Sequence, residues 1–573
     1  MDAKAAQELI SKNLETVKAG FKLESWQKVA IKPMYYGNKY YAYIIETYKD
    51  IRLVGAPPQS IGKFGSDTDN WVWPRHTVDI SMFRIYADKN NKPAEYAKDN
   101  IPYKPKYFLP VSIKDKQEND FTFVFGFPGR TTEYLPAIAV EKIMNETDPA
   151  MISVREVALK TLDEKMRTDA ETRIKYASKY ASVANYWKKW IGEVEGLKKS
   201  DAVSKKKNYE QNLIAKNAQI KPTIDELNRL YTEQSPYNLN KAYYSEVLRN
   251  AESLTLANNY YNFVKAVESG KMDAKTADNF KARLSGIYKD YDAVLDAKVT
   301  AKLLALYANK TPKQFLPAGF EQYKDENQNL KTIEELSKNS VITGRGTLNG
   351  ATTYSDINKV FADQNALVQN LKNDPLMKLL TAFREQYMAS TDGKVTEYQE
   401  QIDALQKKFM AQQMETDKDR KFFPDANSTL RVTYGQVKGS NPRDAVSYGY
   451  QTHIAGIMEK YVPGDYEFDV PKKLIQLYNT KDYGIYKDKT GDVPVNFTAT
   501  NHTTGGNSGS PALDAYGNLV GLNFDRQWEG TMSDINYDPR FSRNIMVDTK
   551  YILFVIDKYA DAKWLINEMK IVK

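Results

Sequence analysis

Hydrophobic residues fall into three textures along the chain. From about residue 35 to 127 they come in short runs rich in Tyr, Ile, Val and Phe, as at 40–48, 79–86 and 121–127. Turn residues such as Gly55-Ala56-Pro57-Pro58 and Pro128-Gly129 break these runs. Short runs bounded by Gly and Pro predict strands. At Asp148-Pro149 the pattern changes to an N-cap followed by a first-turn proline, which predicts a helix start. Beyond it Tyr176, Tyr180, Val183, Trp187, Ile191 and Val194 recur at three- and four-residue spacing, one apolar helical face. Charged helical periods continue to about Lys421, with loops predicted around Pro236, Gly270, Pro317 and Gly344. Strand texture returns at 429–434, 497–500 and, after the Gly517-Asn518 turn, 519–524. A helix near 551–559 closes the chain, and residues 1–21 read as an amphipathic helix.

Strands, a long helical block and strands again make a β fold with a helical insertion. The boundaries drawn from texture are 1–130, 131–425 and 426–573. Composition narrows the function classes. No apolar stretch approaches the roughly 18–20 residues of a spanning helix, so no membrane span is expected. The absence of Cys removes disulfides, thiol nucleophiles and cysteine-based zinc sites. The formal charge of +8 is spread over 573 residues without a block of like charges, so nucleic acid is not an expected partner. No His lies in a metal-binding spacing, and no metal or cofactor is expected. Gly344, Gly346 and Gly350 lack the spacing of a dinucleotide motif and read as an interhelical loop.

The chemistry concentrates in Thr504-Gly505-Gly506-Asn507-Ser508-Gly509-Ser510-Pro511 ahead of a strand hairpin. Small residues around a serine let backbone N–H groups converge on one point, which a developing oxyanion needs. The order Gly-Asn-Ser-Gly-x-Pro resembles the nucleophile loop of chymotrypsin-fold serine peptidases, with Ser508 as nucleophile and the amides of Gly506 and Ser508 as oxyanion hole. In that chain order an aspartate on a strand lies upstream, and Asp79 fits.

Residues 67–81, Asp-Thr-Asp-Asn-Trp-Val-Trp-Pro-Arg-His-Thr-Val-Asp-Ile-Ser, carry a more specific likeness. With Arg52-Leu53-Val54-Gly55-Ala56-Pro57-Pro58, Gly126-Phe127-Pro128-Gly129-Arg130, Ala184-Asn185-Tyr186-Trp187-Lys188 and Asn441-Pro442-Arg443-Asp444-Ala445-Val446, the chain resembles the bacterial dipeptidyl peptidase 7 and 11 family of serine peptidases almost throughout. The resemblance implies an α+β protein: a chymotrypsin-like double β-barrel, its N-terminal barrel incomplete here, with a large α-helical insertion over the cleft. It implies release of dipeptides from peptides with a free N-terminus, a homodimer, and a place in the periplasm or at the cell surface, although no signal peptide is read in this chain. Asn70, Trp71, Asn185 and Asp525 match the family positions that anchor the substrate ammonium. Arg526, after Asn523-Phe524-Asp525, stands at the first specificity pocket, where a guanidinium would select Asp or Glu as in the dipeptidyl peptidase 11 type.

Two departures follow. Ser66 and Val78 stand where the family usually has Gly. The family's catalytic His lies in a Thr-Asn-His-His-Cys-Gly motif upstream of the aspartate, and this sequence has no such motif; its histidines are His76, His453 and His502. On an alternating strand His76 would point away from Asp79. His502 is expected to make a structural hydrogen bond, and His453 to pack or lie at the surface. The expectation is a truncated serine dipeptidyl peptidase, nearly inactive as it stands; the alternative is a non-catalytic, peptide-binding relative.

Overall fold

The computed structural model describes residues 3–573. The chain divides into two compact units. The first takes the chain up to Val140, Gly192–Leu227 and Asp403–Lys573; the second takes Glu141–Ile191 and Asn228–Ile402. The insertion drawn at 131–425 is therefore too wide, and residues 192–227 belong to the strand-bearing unit. The reason is local. The divisions fall inside the continuous helices Ala137–Lys142, Ala170–Lys199, Lys221–Asn250 and Gly393–Thr416, where composition leaves no linker to read.

In the first unit β1 (Gln27–Met34) and β2 (Lys39–Glu46) form a hairpin, and β3 (Ile51–Gly55), β4 (Met82–Ala87) and β5 (Ile101–Pro102) a small sheet. In β3 and β4 the pairs Ile51–Ile85 and Leu53–Phe83 lie opposite one another, and all four side chains are exposed. The large sheet uses β6 (Val111–Ser112), β7 (Phe121–Gly126) and β8 (Arg431–Gln436). After the hairpin of β9 (Ser440–Arg443) and β10 (Val446–Tyr448), it adds β11 (Gln451–His453), β12 (Pro494–Ala499), β13 (Pro511–Leu513), β14 (Leu519–Arg526), β15 (Asn544–Asp548) and β16 (Ile571–Val572). Its main path runs β11-β12-β15-β14-β13-β7-β8. A bridge from Val437 to Ala499, flanked by Thr500 N–H to Gln436 O (3.0 Å) and Lys438 N–H to Thr498 O (3.1 Å), ties the β8 end back to β12. Strands β12 and β15 are buried at every position, so their near-continuous apolar runs mark the sheet interior.

The second unit is helical around one core that includes Tyr260, Phe263, Leu304, Tyr307, Leu380 and Phe383. Its helix starts are set by aspartates: Asp273, Asp292, Asp325, Asp356, Asp363 and Asp374 each accept a backbone N–H of the first turn. Such a cap satisfies donors that the helix itself leaves open. Asp148 does not follow that rule. The chain is already helical from Ala137 and enters Asp148–Met166 through a wide turn at Ile143–Thr147, so Asp148 and Pro149 lie within a running helix. Pro236 likewise sits inside the helix Lys221–Asn250 rather than in a loop. A proline costs one helical bond and a steric kink, and tertiary packing overrides it here.

Lys116 and Asp548 form an ion pair of 2.8 Å with side chains 6% and 0% exposed, and Asp548 also caps the helix Thr549–Phe554 through Lys550 N–H. Removing one partner strands a buried charge. Lys116→Met is expected to cost about 3–5 kcal/mol in urea unfolding, whereas breaking the surface pair Arg84–Glu568 with Arg84→Ala should cost under about 1 kcal/mol.

Candidate active site

The serine loop joins β12 to β13 and is built from close backbone contacts. Gly129 N–H donates to Gly505 O at 2.6 Å. A Cβ on Gly506, whose φ is +101°, would lie 2.5 Å from Phe127 O and 2.9 Å from Gly129 N; one on Gly126 would lie 1.9 Å from Ser510 Oγ. Only glycine fits these positions, both for space and for the positive φ of Gly506. Asn507 braces the loop from beneath. Its Oδ1 accepts from Thr504 N–H (3.1 Å), and its carbonyl accepts from Ser510 N–H (3.0 Å) and Asn523 Nδ2 (3.2 Å). Asn544 Nδ2 in turn donates to Asn523 Oδ1 at 2.9 Å. These contacts leave Ser508 exposed at the top of the loop, and no hydrogen bond among the described residues uses the N–H of Gly506 or of Ser508.

Strand β14 runs beside this loop, with Gly509 N–H donating to Asn523 O (2.7 Å) and Asn523 N–H to Ser510 O (2.9 Å). Its register against β15 shifts between Asn523 and Asp525, a bulge centred on Phe524. A bulge re-aims the groups beside it, and here Phe524 O accepts from Ser508 Oγ at 3.3 Å. The next two residues are charged and buried by pairing. Asp525 accepts from Arg75 through Oδ2, from Trp71 N–H (3.3 Å) and from Arg526 N–H (2.7 Å). Arg526 donates through Nη1 to Asp534 Oδ1 (2.7 Å), Ser533 Oγ (2.7 Å) and Thr503 O (3.2 Å), with Trp71 over its face at 5.6 Å. Sequence reasoning had no signal for Arg75, Asn507, Asn523, Asn544 or Asp534 as partners, because which group a polar side chain bonds is set by the folded backbone and not by its motif.

Asn70 is half-buried and Trp71 adopts a φ of +64° in a turn held by Glu467, which accepts from Asp67 N–H (3.0 Å), Thr68 N–H (3.2 Å) and Thr68 Oγ1 (2.7 Å). Asp79 is not on a strand. It lies in the extended segment before β4, because residues 75–81 spend their polar groups elsewhere: Thr77, for example, bonds the Asn496 side chain and Ile61 O. Its side chain is exposed, yet the crowding protein raises its carboxyl above the ordinary range, with Arg75 opposing and Asp525 adding to the rise. Asn185 is half-buried on the helix Ala170–Lys199, in the part that belongs to the helical unit.

None of the three histidines hydrogen-bonds Ser508. His76 is buried and packs against the helix Ile454–Lys460, where a Cβ on Gly456 would lie 2.1 Å from its Nε2; burial lowers it to about 3. His453 pairs with Asp488 at 2.8 Å. His502 stacks on Tyr537 at 4.6 Å, and its Nε2 lies 2.6 Å from Ser533 O.

The Peptidase S46 family model matches residues 1–571. The chain belongs to this family. It is 49% identical over 578 residues to the Asp/Glu-specific dipeptidyl-peptidase of Flavobacterium psychrophilum, spanning 99% of this chain and 79% of that one. It is 37% identical over 554 residues to the dipeptidyl-peptidase 7 of Phocaeicola vulgatus, spanning 94% and 75%. Among solved structures it matches Porphyromonas endodontalis DPP11 in complex with the dipeptide Arg-Glu with a TM-score of 0.82 and 32% identity, covering 99% of this chain and 80% of that one.

Burial lowers the His502 ring to about 4, with Ser533 O opposing. A histidine in the unfolded chain takes its proton near pH 6.5. The stabilisation is therefore whole above about pH 6.5 and is lost as pH falls toward 4, up to about 3 kcal/mol. His502→Gln should flatten that acid limb when urea unfolding is measured between pH 7 and 4.

Proposed function

We propose that this chain is a serine dipeptidyl peptidase that releases N-terminal dipeptides ending in Asp or Glu. The observation that carries the reading is the run Phe524-Asp525-Arg526 on β14. Its first carbonyl holds the Ser508 hydroxyl, its second residue is a buried carboxylate, and its third a buried guanidinium. Nucleophile, anchor for the substrate ammonium and anchor for an acidic side chain thus come within three consecutive residues. The names of the relatives support the same substrate class.

Ser508 Oγ attacks the scissile carbonyl carbon, and the oxygen that gains charge is met by the amides of Gly506 and Ser508. For turnover the Ser508 proton must pass to a base and from it to the departing amine before water cleaves the ester, and no side-chain base is hydrogen-bonded to Ser508 among the described residues. His76, His453 and His502 are not that base, since His76 is buried against the helix Ile454–Lys460 and the other two meet Asp488 and Ser533 O; Asp79 is the carboxylate that orients it. Asp525, with Asn70 and Trp71, receives the α-ammonium two residues before the cut. The path β12-β15-β14-β13-β7-β8, with its Val437–Ala499 bridge, is the second barrel of a chymotrypsin-like fold in this reading. The exposed apolar face of β3 and β4 supports an incomplete first one. A second reading, a peptide-binding relative without turnover, is favoured by the placement of the histidines alone.

A panel of Xaa-Asp, Xaa-Glu and Xaa-Leu fluorogenic dipeptides tests the reading. The residual turnover on the acidic substrates should vanish in Ser508→Ala, and Arg526→Gly should lower kcat/KM on Xaa-Asp by about 100-fold while sparing or raising that on Xaa-Leu, the loss expected for a charge-assisted pair. Unchanged preference in Arg526→Gly would remove the specificity assignment. Dipeptide binding without any Ser508-dependent turnover would favour the second reading.

A further inference from the structure

The Arg526 guanidinium is already engaged by a carboxylate of its own chain. Asp534 meets it with both oxygens, Oδ1 at 2.7 Å from Nη1 and Oδ2 at 3.3 Å from Nη2, the two-pronged arrangement that an Asp or Glu side chain of a substrate would adopt. Nε is buried and has no hydrogen-bond partner among the described residues. A guanidinium has five donors in a fixed fork, so one edge is taken and the adjoining donor is left over. An idle buried N–H of a charged group is unfavourable, and a second carboxylate on the Nε edge would relieve it.

Asp534 is held where it is by more than Arg526. It ends the short helix Trp528–Asp534, its carbonyl accepts from Thr132 N–H at 2.6 Å, and the preceding Ser533 carbonyl lies 2.6 Å from His502 Nε2. A carboxylate at a helix C-terminus gains nothing from the helix dipole, so the guanidinium is its electrostatic partner. The surrounding charge is already acidic. Glu193 and Asp525 also bear on Arg526, and Asp525 is balanced by Arg75. With Asp534 in place the pocket cation is neutralised, and an entering carboxylate brings a charge that the site has no further cation to match.

We propose that Asp534 is a specificity-determining residue, an internal stand-in for the substrate's acidic side chain that orients Arg526 in the empty pocket and competes with the substrate for it. The proposal rests on Arg526 being the pocket anchor. Asp534 trades affinity for order: it keeps a buried cation paired between substrates and must share or release it when Asp or Glu enters.

The test is calorimetric binding of the dipeptides Arg-Asp and Arg-Leu to the full chain, which needs no turnover. In Asp534→Asn, which keeps an acceptor and loses the charge, Arg-Asp should bind about tenfold tighter with Arg-Leu unchanged; Asp534→Glu should restore the weaker binding. If Asp534→Asn does not fold, as judged by thermal unfolding, Asp534→Ser serves in its place with the same expectation. Equal weakening of both dipeptides would mean that Asp534 only supports the loop, and no change in either would mean that it does not compete; both overturn the proposal. Arg526→Gly separates the two layers. If it leaves the preference for Arg-Asp over Arg-Leu intact, the pocket assignment itself falls, whereas loss of preference there with no response in Asp534→Asn overturns only the competitor.

Discussion

The backbones of residues 126–129 and 504–510 approach one another more closely than any side chain would permit, and the position of Ser508 depends on that approach. Gly126 and Gly506 have no room for a Cβ, and Gly129 N–H is spent on Gly505 O. The segment that ends β7 thus acts as a mould for the loop that begins β13, and β7 and β13 are neighbours in the sheet. Because the loop is held from below by Asn507 and from the side by β14, the serine is exposed without being loose. Precision of this kind on a rigid element is what a nucleophile needs, since small misplacements are costly in rate.

Charge in the site is arranged in two pairs, each with one member on β14. Arg75 with Asp525 and Arg526 with Asp534 each set a buried guanidinium against a half-buried carboxylate, and pairing is the condition on which ions are tolerated away from water. The bulge at Phe524 puts the serine's acceptor directly beside these charges. Asp525 and Arg526 keep a fixed spacing along the strand whose Phe524 carbonyl holds the Ser508 hydroxyl, while Arg75 and Asp534 meet them from the segment before β4 and from the end of the helix Trp528–Asp534.

How far this was legible in the sequence follows from which contacts are local. Ser508, Gly506, Asp525 and Arg526 sit in short contiguous motifs, and the structure brings them together around β14. The α+β class and the helical block were legible because periodicity is a local property, although Asp148 and Pro236 mislead: a cap signal and a breaker are local tendencies that packing overrides. The limits of the helical unit were not legible, since continuous helices carry the chain across them. Asp79 keeps its place in the sequence order but not on a strand. Asp534, Arg75 and Asn507 were silent because the pairing of their polar atoms with residues of the motifs exists only once the backbone is folded.

Strands β7 and β8 are hydrogen-bonded along their whole length, yet the helical unit lies between them in sequence; at their root Thr131 and Asp425 are joined by a hydrogen bond across 294 positions. Closing so long a loop costs only modestly more entropy than closing a short one, because the cost grows with the logarithm of length. Time is affected more than stability. During synthesis at roughly 5–20 residues per second, β7 waits on the order of 15–60 s for its β8 partner, with Thr122 and Val124 lacking the surroundings that will bury them. The helical unit, rich in local contacts, is able to fold in that interval. The large sheet, and with it the loop that carries Ser508, is the last part of the molecule to be completed, so a chain released early holds a folded helical unit and no site.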